Sequence, residues 1–130
     1  MLKPIAYKKV VVIDDDPINN MICEKLIQHL GFAEHVCSFL SAAEALAWLQ
    51  NHPDSPVDLI LLDINLPIMD GWEFLAQLQQ LQLQGYDIPF SIHIHSSSVS
   101  QEDQEKASRH PLVKSFLLKP LTPDKLAQLA

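Results

Sequence analysis

Val10-Val-Val-Ile13 and Asp58-Leu-Ile-Leu-Leu-Asp63 each carry four consecutive large apolar residues and then stop at a carboxylate. A strand with one wet face alternates apolar and polar residues, so a run without alternation is covered on both faces, as in a parallel sheet. Glu34–Phe39, Ile88–Ser96 and Val113–Leu118 supply three further strand candidates. Helix signals fill the intervals. Pro17 suits a first helical turn, Ile18, Met21, Ile22, Leu26 and Leu30 recur at helical spacing, and Gly31 suits a C-terminus. Ser41-Ala-Ala-Glu44 has capping-box spacing, followed by the stripe Ala42, Ala45, Leu46 and Leu49, and then by turn chemistry at Asn51–Pro56. Trp72–Leu83 places Phe74, Leu75, Leu78 and Leu81 on an inward face and closes at Gly85. Ser100-x-x-Asp103 caps a short helix, and Thr122-Pro123 opens the last one. Strands alternating with helices over short connections predict an α/β fold, an open, doubly wound five-stranded parallel sheet with helices on both faces. Ligands of such sheets bind beyond the carboxyl ends of the strands.

Length and charge narrow the function. A chain of 130 residues fits one domain, and residues 1–130 are read as a single domain without an output domain. Nine Lys and Arg against 16 Asp and Glu give a net charge of −7, which repels nucleic acid. Residues 1–9 lack the apolar stretch of a secretory leader, and no run approaches the roughly 18 apolar residues of a membrane span, so a cytoplasmic location is expected. Cys23, on a helix, and Cys37, on a strand, fit free thiols better than a disulfide framework.

Four strands end in complementary chemistry: Asp14-Asp15 after the first, Asp63 after the third, Ser96 at the fourth and Lys119 after the fifth. Each has an ordinary structural use. Asp14 to Asp16 suit a helix N-terminus, worth about 0.3–1 kcal/mol, Asp63 can start a loop, Ser96 can satisfy a backbone group, and Lys119 can be a solvated surface residue. In a parallel sheet, however, all of these ends share one edge. Three carboxylates gathered there repel one another, and a hard cation relieves them. Mg²⁺ accepts one or two carboxylates while keeping waters and binding a phosphate. A carboxylate beside Mg²⁺ and a lysine can attack phosphorus and form an aspartyl phosphate.

Val11-Val-Ile-Asp-Asp-Asp-Pro17, Leu61-Leu-Asp-Ile-Asn-Leu-Pro-Ile-Met-Asp-Gly71, Ser96-Ser-Ser98 and Phe116-Leu-Leu-Lys-Pro120 together resemble the receiver domain of two-component response regulators. The likeness runs from about Lys8 to the C-terminus. It implies a flavodoxin-like strand order 2-1-3-4-5 and a Mg²⁺-dependent phosphorelay switch rather than an enzyme. By the same resemblance Asp63 is the phosphoacceptor, and Asp14, Asp15, Asp63 and the backbone carbonyl of Asn65 hold Mg²⁺. Ser96 is the switch hydroxyl, Lys119 ion-pairs with the phosphoryl group, and Phe116 occupies the aromatic switch position. The implied partner is a sensor histidine kinase or a histidine phosphotransfer protein. Output passes through an unidentified downstream protein, through homodimer formation on phosphorylation, or through relay. Phe116 lacks the hydroxyl of a Tyr, and Ser96 stands where Thr is commoner. Asp16 belongs at the rim, and Asn19 is a candidate contact.

Other readings use the same residues. An aspartate-nucleophile phosphatase of the haloacid-dehalogenase type wants a second Asp where Asn65 stands. A flavodoxin-like flavin binder wants a phosphate loop without three acids. A pseudo-receiver keeps the fold and acts only through protein contact. His93 and His95 share a strand face and fit a place beneath a helix better than a metal site or a phosphoryl relay. Trp48 and Trp72 read as core or partner-contact residues.

Overall fold

Ten elements alternate along residues 7–129, the part of the chain that this computed structural model describes. They are β1 (Tyr7–Ile13), α1 (Pro17–His29), β2 (Ala33–Phe39), α2 (Ala42–Asn51), β3 (Leu59–Leu62), α3 (Gly71–Leu83), β4 (Ser91–Ser96), α4 (Gln101–Arg109), β5 (Val113–Leu118) and α5 (Pro123–Leu129). The strands form one parallel sheet in the order β2-β1-β3-β4-β5, as expected. The leader-free reading of the chain start rests in part on residues 1–6, which lie outside the described residues, as does Ala130.

Unbroken apolar strands are covered on both sides. Val11, Ile13, Ile60, Leu62 and Ile92 pack against Ala45, Leu49, Phe74, Leu75 and Leu78 of α2 and α3. Val10, Val12, Leu59 and Leu61 face the other way, onto Cys23 and Ile27 of α1 and Leu126 of α5. Complete burial of one such aliphatic side chain contributes about 1.5–3 kcal/mol, so these two layers hold the sheet edge that carries the polar residues.

The local signals end where their chemistry requires. Ser41 and Ser100 accept from the amides of Glu44 and Asp103, and Thr122 accepts from that of Lys125. Gly31 and Gly85 take φ of +62° and +101° at helix ends. The fourth strand starts at Ser91 and not at Ile88, because Pro89 has no N–H to give a ladder.

Helix α1 departs from its apolar periodicity. Asn20, Cys23 and Ile27 face the sheet, whereas Ile18, Met21, Ile22 and Leu30 are exposed. Its orientation is set by polar anchors. Asp16 caps the helix by accepting from the Ile18 amide, and the buried Asn20 side chain donates to the Asp14 carbonyl at 2.9 Å. These contacts roll the larger apolar stripe outward.

Candidate functional site

Strand pairing continues one residue past three of the strands. The amide of Asp14 donates to Phe39 O, that of Asp63 to Ile13 O at 2.9 Å, and that of Lys119 to Ser96 O at 2.9 Å. The reactive side chains are therefore mounted on the end of the sheet and not on free loops, which fixes their spacing. Carboxylate oxygens of Asp14, Asp15 and Asp63 lie within 4.8 Å of one another. Asp14 and Asp63 are buried, and Asp15 is exposed.

Lys119 joins the two buried acids. Its Nζ lies 2.5 Å from Asp14 Oδ2 and 3.2 Å from Asp63 Oδ2. Burial alone would lower the ammonium pKa, but the hydrogen bond to Asp14 and the charges of Asp63 and Asp14 outweigh it and raise it. Burial is also the largest influence on Asp63 and raises its carboxyl pKa. The Asn65 amide, donating to Oδ1 at 3.0 Å, and the Lys119 charge pull the other way, and Asp14 adds to the rise.

Asp14 is held from every side. Oδ1 accepts from the Asp16 amide at 2.9 Å, and Oδ2 accepts from Lys119 and from Asn19 Nδ2 at 2.7 Å. Asp15, among the described residues, makes no side-chain hydrogen bond and is free to take a ligand. Ser96 is fully buried, and its Oγ accepts from the Ser98 amide at 3.1 Å and from Asn65 Nδ2 at 3.4 Å. Its own proton is therefore free to turn toward a new acceptor. Phe116 is half-buried on β5 against Ile64, Ile94 and Ala107, beside an opening of about 290 Å³ between α4 and β5.

The loop after Asp63 is tightly constrained. A Cβ on Gly71 would come within 2.6 Å of Ile64 Cα and 2.8 Å of Asp63 O, so only glycine allows this approach. Asp70 caps α3 by accepting from the Glu73 amide. Ile68 has φ of +69°, and Met69 N donates to Pro67 O at 2.8 Å, closing a three-residue turn. A β-branched residue in that conformation costs roughly 1–2 kcal/mol, and Ile68 projects wholly into solvent.

The sequence-derived residues Asp14, Asp15, Asp63, Asn65, Ser96 and Lys119 meet at this edge, with Phe116 farther along β5. Asp16 is a helix cap at the rim. Asn20 was missed, because a polar residue on a helix shows no sign in sequence of facing inward to hold a strand-end carbonyl. Among the described residues, no group of three or more potential metal-binding side chains includes His93 or His95.

Both histidines are buried on β4. His93 Nδ1 lies 2.6 Å from Ser115 Oγ, and His95 Nε2 has no hydrogen-bond partner among the described residues. Burial first, and Lys119 next, push the His95 pKa down to about 4. Below pH 6.5 the unfolded chain protonates this residue and the folded chain does not. Stability is therefore lost as pH falls from 6.5 toward 4, by about 3 kcal/mol from this group. In urea titrations across that range, His95→Leu is expected to gain steadily on the wild type; parallel curves would show that His95 carries no such cost.

The family model described as the response regulator receiver domain matches residues 10–130. A two-component response regulator of Arabidopsis thaliana is 28% identical over 131 residues, 98% of this chain and 87% of that protein. A hybrid signal transduction histidine kinase of Dictyostelium discoideum is 35% identical over 99 residues, covering 75% of this chain and 6% of that protein. The chain spans 29% of a second Arabidopsis response regulator and 12% of a Pseudomonas protegens sensor histidine kinase. Among solved structures, a two-component response regulator from Cytophaga hutchinsonii superposes with a TM-score of 0.85 at 28% identity, covering 97% of this chain and 95% of that one. A chemotaxis protein of Vibrio cholerae gives 0.73 at 26% identity, covering 95% and 96%. With the sheet order, the acidic edge and a family match from Val10 to the C-terminus in agreement, the chain belongs to the response regulator receiver domain family.

Proposed function

We propose that this chain is a phosphorelay switch that accepts a phosphoryl group on Asp63 from a histidine kinase or a histidine phosphotransfer protein. The observation that carries the reading is the Lys119 ammonium bridging Asp14 and Asp63 within a three-carboxylate cluster. An Asp63 oxygen attacks phosphorus in line, the P–N bond of the phosphohistidine breaks, and the imidazole nitrogen keeps the electron pair and takes up a proton. Lys119 turns to one phosphoryl oxygen and Ser96 donates to another. A hydrogen bond to a charged group is worth about 1.5–3 kcal/mol, enough to shift a two-state equilibrium by one to two powers of ten. With Ser96 drawn toward the phosphoryl group, Phe116 turns into the vacated space and remodels the surface formed by α4, β5 and α5.

The donor set fits Mg²⁺, a hard cation that prefers oxygen. Asp15, Asp63 and the Asn65 carbonyl would hold it directly, and Asp14, its oxygens already engaged, at one remove. Once bound, it offsets the negative charge on the transferring group. Asn65 supplies no carboxylate to activate water, which favours a switch over a phosphatase. The fold has no helix long and apolar enough to cross a membrane among the described residues. The test is incubation with acetyl phosphate. One hydroxylamine-sensitive phosphoryl group per chain is expected with Mg²⁺ and none with EDTA.

The outward face of α1 supports a protein donor. Ile18 and Ile22, 62% and 50% exposed, stand with Met21 in the first two turns of α1, the helix that follows the acidic pair. Exposed apolar surface of this kind marks a contact site. Ile22→Asp is expected to slow transfer from a cognate kinase by about tenfold or more, the effect of losing one contact hot spot. It should leave labelling by acetyl phosphate unchanged. Equal slowing with both donors would remove α1 from the docking surface.

A further inference from the structure

Asp14 Oδ2 accepts from two donors at once, Lys119 Nζ at 2.5 Å and Asn19 Nδ2 at 2.7 Å. The ammonium stands farther from Asp63, at 3.2 Å. Serving a phosphoryl group on Asp63 therefore draws Lys119 toward the phosphoryl oxygens and away from the acid it holds more tightly. Asp14 is buried, and a buried carboxylate that loses its counter-ion is strongly destabilised unless other donors remain. Two do remain. The Asp16 amide holds Oδ1 at 2.9 Å, and Asn19 holds the vacated Oδ2. The backbone on which Asp14 sits is pinned as well, because Asn20 Nδ2 donates to its carbonyl. Asn19 lies in the first turn of α1, so its amide is carried by a helix and does not move off with the lysine.

We infer that Asn19 is a positioning residue that keeps Asp14 satisfied while Lys119 transfers its ion pair to the phosphoryl group. It touches neither the reacting oxygen nor the phosphorus and acts through Asp14. Without it, Lys119 is the one strong donor left on Oδ2, and its release becomes costly. The effect belongs in the rate of phosphoryl transfer and not in the concentration of Mg²⁺ that half-saturates it.

The inference rests on the reading of Asp63 as phosphoacceptor, and the experiment separates the two. The whole chain is labelled with acetyl phosphate over a range of Mg²⁺ concentrations, as wild type, Asn19→Leu, Asn19→Ala, Asp14→Asn and Asn19→Leu with Asp14→Asn. Asn19→Leu, close to isosteric, and Asn19→Ala are both expected to lower the maximal rate by about tenfold, the lower end for one hydrogen bond to a charged group. Half-saturating Mg²⁺ should stay within about twofold. In the Asp14→Asn background the same substitution should have little further effect, because the charge that Asn19 holds is gone. A maximal rate within about twofold of wild type overturns the inference, as does the same tenfold loss recurring in the Asp14→Asn background. A wild-type chain that takes no label overturns the phosphoacceptor reading and this inference with it. A labelled wild type matched by Asn19→Leu overturns this inference alone.

Discussion

Asp63→Asn should take no label from acetyl phosphate or from a phosphorylated kinase, while the chain still folds. The expectation of complete loss comes from geometry. Asp14 is buried with both oxygens engaged. Asp15 is exposed and, unlike Asp63, has neither Lys119 on one oxygen nor a backbone amide on the other. A carboxamide at position 63 is a poor nucleophile that keeps the shape of the acid and can still accept from the Asn65 amide. The fold should hold or gain slightly in stability, because burial already disfavours the Asp63 charge and Asp14 repels it. Circular dichroism and a urea midpoint check the fold, and mass spectrometry of the intact chain checks the label. A phosphoryl adduct on Asp63→Asn equal to that of the wild type would reject the assignment.

How much of this was legible beforehand depends on which interactions write themselves into sequence. The third strand was legible because Leu59–Leu62 are buried on both sides and so carry no polar residue, and Asp63 stood out as the break in that run. Lys119 and Asp14 were legible for the same reason, each being the first polar residue beyond an apolar strand. Parallel pairing then brought together groups more than 100 residues apart.

The failures share a cause. The apolar stripe of α1 implied one face, and the helix buries another. A buried Asn20 that satisfies a strand-end carbonyl, together with Asp16 capping the helix, outweighs aliphatic residues, and that weighting is invisible until the strand end is placed. The positive φ of Ile68 was equally hidden, since a β-branched residue there runs against local preference and only the loop between Asp63 and Gly71 imposes it. Asn19 could be named as a candidate contact from its nearness in sequence. That it shares an oxygen with Lys119 depends on the fold, which brings the end of β5 to the start of α1.

Lys119→Met should damage both stability and transfer, and the two losses should respond differently to conditions. Methionine keeps an unbranched apolar stem of similar length and removes the ammonium that joins Asp14 and Asp63. Breaking a buried pair by deleting one partner costs about 3 kcal/mol or more, since the abandoned carboxylates keep their desolvation penalty. Without the cation, the Asp63 carboxyl, already raised by burial, loses a charge that lowers it and is pushed further up in the folded state. The folded chain then takes up protons first as pH falls, so the deficit against wild type should be largest near neutrality and shrink on acidification. Added Mg²⁺ should restore part of it, by supplying the missing positive charge. Transfer should not recover in the same way. Without Lys119 the phosphoryl group loses a charge-assisted contact, and the rate of labelling should fall by at least about tenfold even at saturating Mg²⁺. Urea midpoints between pH 5 and 8, with and without Mg²⁺, and labelling time courses read the two effects separately. A variant as stable as wild type at pH 7 without Mg²⁺ would mean that Lys119 does not carry the electrostatic load its distances assign to it, and the cluster would have to be held together by other groups.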